Sequence, residues 1–151
     1  MDSKNDVIET YYDIGQLASR ANCKNGKRDG LREEWYANRQ LKSRANYKND
    51  ERDGLYEIWY SNGQLKSRKN YENDKLNGLR EMWHENGKLW ERVNYKDGNP
   101  DGLVEIWYDN SQLKSRKNYE NDKLNGLRET WDENGKLLES TTYNDGVEQQ
   151  N

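Results

Sequence analysis

The sequence predicts an all-β fold, an elongated single-layer antiparallel sheet of about six stacked 24-residue β-hairpins. Three observations lead there. Gly, Trp, Leu and Tyr each recur every 24 residues. Within each repeat, side chains alternate at period two, the signature of strands. The chain also lacks the aliphatic content of a thick core. Among 151 residues, 22 are Leu, Ile or Val and none is Phe, whereas 35% are charged; mean hydropathy is −1.52. Such values usually accompany disorder, because too little apolar surface is available to offset chain entropy. A net charge of only −3, with 11 Tyr and 6 Trp, opposes that reading. Aromatic side chains bury large areas and can hold a thin array together.

The ladders define the units. Gly30, Gly54, Gly78, Gly102 and Gly126 form one; Trp35, Trp59, Trp83, Trp107 and Trp131 a second; Leu41, Leu65, Leu89, Leu113 and Leu137 a third; Tyr47, Tyr71, Tyr95, Tyr119 and Tyr143 a fourth. A degenerate first copy has Tyr11 in the Trp slot, Leu17 in the Leu slot and Cys23 in the Tyr slot. The units run 7–30, 31–54, 55–78, 79–102, 103–126 and 127–150. The repeat domain is expected over 7–146, between an N-terminal tail (1–6) and a polar C-terminal tail (147–151). Units 55–78 and 103–126 differ at three positions only (Tyr56/Val104, Ser61/Asp109, Gly63/Ser111), which points to duplication of a 48-residue pair.

Within a unit, Leu31, Glu33 and Trp35 alternate, as do Leu41, Ser43, Ala45 and Tyr47, so the Trp, Leu and Tyr ladders are expected on one inner face. Asn-Gly at 62–63, 86–87 and 134–135 marks a tight hairpin. The second connection, such as 48–54, reads as a polar loop ending in Gly; the single proline, Pro100, falls in one of these.

The run Gly54-Leu55-Tyr56-Glu57-Ile58-Trp59-Tyr60-Ser61-Asn62-Gly63-Gln64-Leu65, with Tyr71, resembles the MORN repeat in its bacterial variant. Chains of that kind are grouped as YwqK-type antitoxin-like proteins. The resemblance covers about residues 7–146, with departures at Arg39 and Ser111 in the turn Gly slots and at Tyr11 and Cys23 in the first copy. It implies a binding scaffold, and the antitoxin label implies neutralisation of a partner.

Several function classes recede. No apolar run is long enough to span a bilayer, and the start of the chain has no apolar leader, so a cytoplasmic protein without a transmembrane segment is expected. The single histidine, His84, stands in the slot of Tyr36, Tyr60 and Tyr108, with no second His or neighbouring Cys to share a metal. Cys23 reads as a structural thiol. Glu33, Glu57, Glu81, Glu105 and Glu129 occupy equivalent environments by repetition, whereas a carboxylate hydrolase needs two different ones. No catalytic residue, metal or cofactor is therefore expected.

Slots that vary between units are free to serve a partner. The expected binding face comprises Tyr36, Tyr56, Ile58, Tyr60, Met82, His84, Trp90, Ile106 and Tyr108, exposed as an apolar-aromatic patch suited to a protein. With an odd-length turn, Lys42, Lys66 and Lys114 and the ladder Arg44, Arg68, Arg92 and Arg116, with Arg20, join that face. The expectation is inhibition of a protein target, a toxin or nuclease-type effector, or a phage-encoded inhibitor of a bacterial defence enzyme, by a monomer or homodimer. The alternative is nucleic acid or anionic lipid bound along the basic ladder. By unit the N-terminal half is mildly basic, and the last unit carries a net −4.

Overall fold

The computed structural model describes residues 4–150. Among these the chain is all strand and turn, wound as one antiparallel meander. The first hairpin joins β1 (Asn5–Tyr11) to β2 (Leu17–Lys24), the second β3 (Lys27–Trp35) to β4 (Leu41–Lys48), and the third β5 (Glu51–Trp59) to β6 (Leu65–Glu72). A short β7 (Lys75–Leu76) leads into the fourth, β8 (Gly78–Trp83) with β9 (Leu89–Lys96). The fifth joins β10 (Asn99–Trp107) to β11 (Leu113–Glu120). After a short β12 (Lys123–Leu124) comes the sixth, β13 (Gly126–Trp131) with β14 (Leu137–Asn144), and β15 (Val147–Glu148) folds back on the end of β14. Pairing thus begins at Asn5, inside the expected N-terminal tail, and reaches Glu148 in the C-terminal one.

Among the described residues, no element packs across the sheet. The accessible surface is 9738 Å², against roughly 8,000 Å² for a compact monomer of this mass. Stability therefore comes from contacts along the array, each hairpin against the next.

The two connections exchange the turn types that the sequence suggests. In the Tyr60 turn, the Gly63 amide donates to the Tyr60 carbonyl and the Tyr60 amide to the Gln64 carbonyl. Only Gly63 of that loop has positive φ, 86°. This is a three-residue loop closed by a left-handed residue; Arg39 (φ 71°) and Ser111 (φ 69°) take the same conformation without being glycine. The second connection is the two-residue turn: Lys48 pairs with Glu51, and Asn49 and Asp50 both have positive φ. Asn and Asp tolerate that region through local hydrogen bonds, so Asn-Asp here does what Asn-Gly does elsewhere.

A bulge in each hairpin decides which face each side chain occupies. Glu34 pairs with Ser43, but the next residue, Trp35, pairs with Leu41, leaving Lys42 as an extra residue. The same shift recurs at Lys66, Trp90, Lys114 and Leu138. Leu41 consequently lies beside Trp35, while Ser43, Ala45 and Tyr47 lie on the opposite face. The expectation that the Trp, Leu and Tyr ladders share one inner face is overturned, because a one-residue shift flips every later side chain.

The two faces differ in packing. On the face of Glu34 and Tyr47, small side chains lie beneath long ones: Cys23, Ser43, Ala45, Ser67, Val93 and Val104 are buried, with Tyr71. On the face of Glu33 and Trp35, Leu55, Leu79, Leu103 and Leu127 are exposed and the tryptophans are half-buried. The tryptophan and leucine ladders are thus on the more open side, and the tyrosine ladder on the better packed one.

Candidate partner-binding face

The tyrosines at the three-residue turns are staples. The Tyr12 hydroxyl donates to the Trp35 carbonyl (2.7 Å), Tyr36 to Trp59 (2.8 Å), Tyr60 to Trp83 (3.0 Å) and Tyr108 to Trp131 (2.8 Å). Each bond crosses from one hairpin to the next. Asparagines add a second stitch, Asn38 to the Ser61 carbonyl, Asn62 to Glu85 and Asn110 to Glu133. Above three of these rings stands the lysine of the bulge: Lys42 over Tyr36 (5.9 Å), Lys66 over Tyr60 (5.3 Å) and Lys114 over Tyr108 (5.2 Å).

The fourth unit breaks this pattern. His84 holds the tyrosine slot and Trp90 the lysine slot, their rings tilted with centroids 6.1 Å apart. His84 Nε2 lies 2.9 Å from Asp109 Oδ1, with side-chain exposures of 36% and 87%. The contact does not meet the geometry of a hydrogen bond, and Nε2 has no hydrogen-bond partner. Lys88 replaces the asparagine stitch, its Nζ donating to the Asp109 carbonyl at 2.7 Å. Beside these residues opens a hollow of about 590 Å³ whose lining includes His84, Trp90, Ile106, Trp107, Tyr108, Asp109, Lys114 and Glu133.

Of the face residues expected from sequence, the structure gathers His84, Trp90, Ile106 and Tyr108 at this hollow. Tyr36 and Tyr60 sit at equivalent turns of earlier units. Tyr56 is half-buried against Tyr71, centroids 6.1 Å apart, with Lys69 Nζ 5.7 Å from its ring. Burial pushes the Tyr56 phenol above its usual range. Burial, with the Arg80, Arg52 and Lys66 cations, pushes the Lys69 ammonium below its own. The expected exposure of Ile58, Met82, Trp90 and Ile106 is corrected: all four are half-buried. Flat-lying charged chains cover part of this face. Arg80 contacts Glu91 (3.0 Å) and the Met82 sulfur, and Arg32 pairs with Glu34. Burial raises the Glu34 carboxyl, but hydrogen bonds from Ser43 and Arg32 outweigh it and hold the group below its ordinary value.

The basic ladder divides between the faces. Lys42, Lys66 and Lys114 are on the tyrosine face, as expected. Arg20, Arg44, Arg68, Arg92 and Arg116 are not, because they pair directly across from glutamates of the Trp face. The pairing makes one alternating row across the sheet: Glu9, Arg20, Glu33, Arg44, Glu57, Arg68, Glu81, Arg92, Glu105, Arg116, Glu129, and finally Ser140. Arg68 Nε meets Glu57 at 3.0 Å, Arg92 Nη2 meets Glu81 at 2.9 Å and Arg116 Nη2 meets Glu105 at 3.0 Å. The arginines are therefore neutralised, and no continuous positive stripe tracks the sheet, which removes the basis for the ladder as a polyanion site.

Sequence reasoning missed Asp109 and Glu133 at the hollow, and Lys88 beside it. A signal existed for the first: Asp109 is one of the three differences between the duplicated units, where Ser61 stands in the earlier copy.

Five stretches, 28–49, 52–73, 76–97, 100–121 and 124–145, match the MORN repeat variant, together well over half the chain. The chain belongs to the MORN repeat variant family. Each matched stretch is one MORN hairpin with its three-residue turn, beginning with β3 and β4. The β1–β2 hairpin lies outside the matches, yet Glu9 and Arg20 hold its place in the ionic row. No curated protein matches the sequence. Among the described residues, no helix is long and apolar enough to cross a membrane.

Proposed function

We propose that this MORN-repeat chain is a non-enzymatic cytoplasmic scaffold that binds a protein partner and inhibits it, as an antitoxin does a toxin or nuclease-type effector. One observation carries the reading. Three units repeat a Tyr–Lys pair on this face, and the fourth replaces it with His84 and Trp90 beside an open, partly apolar hollow. The lattice does not need that change, since its other units hold together without it. A half-buried tryptophan at the rim of a hollow, ringed by charges, is the composition of an interface anchor.

The test uses Trp90→Lys, which gives the fourth unit the residue that the second, third and fifth have at this slot. Wild type and variant are tagged and used to capture partners from nuclease-treated lysate of the native host. One stoichiometric protein on the wild type, absent from Trp90→Lys and inhibited by the purified wild type, is the expected result. Retention of the same protein by Trp90→Lys overturns the face. Capture without inhibition overturns the inhibitor role, and recovery of nucleic acid alone overturns the protein partner.

A further inference from the structure

We propose that the hollow of the fourth unit accepts a tyrosine side chain of the protein partner, whose phenol takes the place that the lattice leaves vacant there. The proposal rests on the protein-binding reading of the same face and names what enters it.

The series of staples supplies the argument. The carbonyls of Trp35, Trp59, Trp83 and Trp131 each accept a tyrosine hydroxyl from the preceding hairpin. The fifth tryptophan, Trp107, is preceded by His84, whose imidazole turns to Asp109 instead. Trp107 thus has the position of an acceptor without the phenol that serves its counterparts, and it lines the hollow. A hollow lined by the one tryptophan of the series that no tyrosine hydroxyl reaches fits an aromatic ring with a donor at its end.

The surroundings select against other anchors. Lys114 Nζ already stands 5.2 Å from the Tyr108 ring, the arrangement of a cation above a phenol. Lys114 in the lining, with Lys88 beside it on the Asp109 carbonyl, matches Asp109 and Glu133 in formal charge, so neither a cationic nor an anionic side chain gains a net attraction. An aliphatic or phenylalanine side chain would bury apolar area against Trp90 and Ile106 but would leave the carbonyl without its donor, at the cost of an unsatisfied polar group. A phenol meets both demands. Trp90 offers an edge or face for an offset aromatic contact, which adds to area burial.

The probe is p-cresol, the tyrosine side chain as a free molecule, titrated into the full chain with the Trp90 indole N–H followed by NMR. Toluene and methylguanidinium are the comparisons. Binding of p-cresol in the millimolar range is expected for so small a ligand, with toluene about tenfold weaker because it lacks the hydroxyl, and methylguanidinium silent. His84→Tyr should fill the position from within, abolish p-cresol binding and raise the melting temperature. Equal binding of toluene and p-cresol, preferential binding of methylguanidinium, p-cresol binding unaffected by His84→Tyr, or no p-cresol binding each overturns the proposal. Partner loss on Trp90→Lys alongside absent p-cresol binding fails the phenol alone. Partner retention on Trp90→Lys fails the face itself.

Discussion

Replacing Tyr60 by Phe removes one oxygen and keeps the ring. The hydroxyl donates to the Trp83 carbonyl at 3.0 Å, from a phenol that burial and the Glu85 carboxylate push above its usual pKa. A neutral hydrogen bond of this kind contributes about 1 kcal/mol net. The residue is half-buried, so water reaches the site only in part and does not restore the whole loss. Tyr36→Phe and Tyr108→Phe remove equivalent bonds of 2.8 Å. The three sites are one or more units apart, about 9.6 Å per unit along the sheet, far enough for costs to add. The triple variant should therefore lose about 3 kcal/mol, a sizeable share of the roughly 5–15 kcal/mol of an ordinary domain. Urea denaturation followed by tryptophan fluorescence reads the loss, and each single change should lower the melting temperature by about 2–4 °C. His84→Phe, which has no hydroxyl to lose, is the control. A cost below about 0.3 kcal/mol per tyrosine, with partner binding reduced instead, would refute the staple argument and return Tyr36, Tyr60 and Tyr108 to the contact role that the sequence suggests.

The ionic row gives a second expectation. Glu81 is 12% exposed beneath Arg92 at 42%, and Arg92 also lies 5.7 Å from the Trp107 ring; a Glu81→Gln, Arg92→Met double-mutant cycle should give a coupling of about 1 kcal/mol, the upper end for partly exposed pairs, weaker in molar salt. The two-residue turns give a pH dependence. The Arg52 side chain donates to Asp74, with a longer bond from its amide, and together they hold that carboxyl below its ordinary value. Its stabilisation is complete above the unfolded carboxylate range near pH 4 and disappears as pH falls through the lowered folded value, so Asp74→Asn should lie below wild type at pH 6 and converge with it toward pH 2. The end of the row gives a third. Ser140 stands where earlier units place Arg, on an edge that β15 covers only at Tyr143 and Asn144. Ser140→Arg offers a counter-charge to Glu9 on the β1 edge of a second copy, and should produce salt-sensitive, concentration-dependent association in sedimentation runs where wild type shows less.

The 24-residue period, the strands and the meander were legible because each rests on local pattern: turn residues, alternation and repetition. The bulge was not. Lys42, Lys66 and Lys114 carry nothing that marks an extra residue, and Trp90 and Leu138 at the same slot show that no single side chain is required there. The bulge shows only in the pairing of Trp35 with Leu41, which is set by both strands together. That one shift moved Tyr47 and its counterparts away from the tryptophans and placed the arginines against glutamates. At the candidate site, His84, Trp90, Ile106 and Tyr108 were legible as departures from the repeat or as varied slots. Their burial was not, because it depends on neighbours such as Arg80 and Glu91 lying flat across the face.

In a repeat array the same residue has two readings, and equivalence between units decides between them. A tyrosine that makes the same bond at Trp59, Trp83 and Trp131 answers to the lattice, since three copies of one geometry need no partner to explain them. A residue at an equivalent slot that abandons the bond forgoes about 1 kcal/mol and leaves its neighbour's carbonyl without the donor. His84 does so, and Trp90 departs with it, so two changes fall together at one junction between hairpins. The sixth unit departs at the same two slots, with Asp132 and Leu138, but no further hairpin follows it among the described residues to be stapled. The departures that fall between two hairpins at the hollow are the reason to look there first, and the consensus substitutions His84→Tyr and Trp90→Lys restore the lattice while removing the hollow's distinguishing features. If those two changes raise stability and abolish partner binding together, the fourth unit trades local order for recognition. If they raise stability and leave binding intact, the departures are ordinary variation, and the open Trp face with its neutral Glu–Arg row becomes the surface to test.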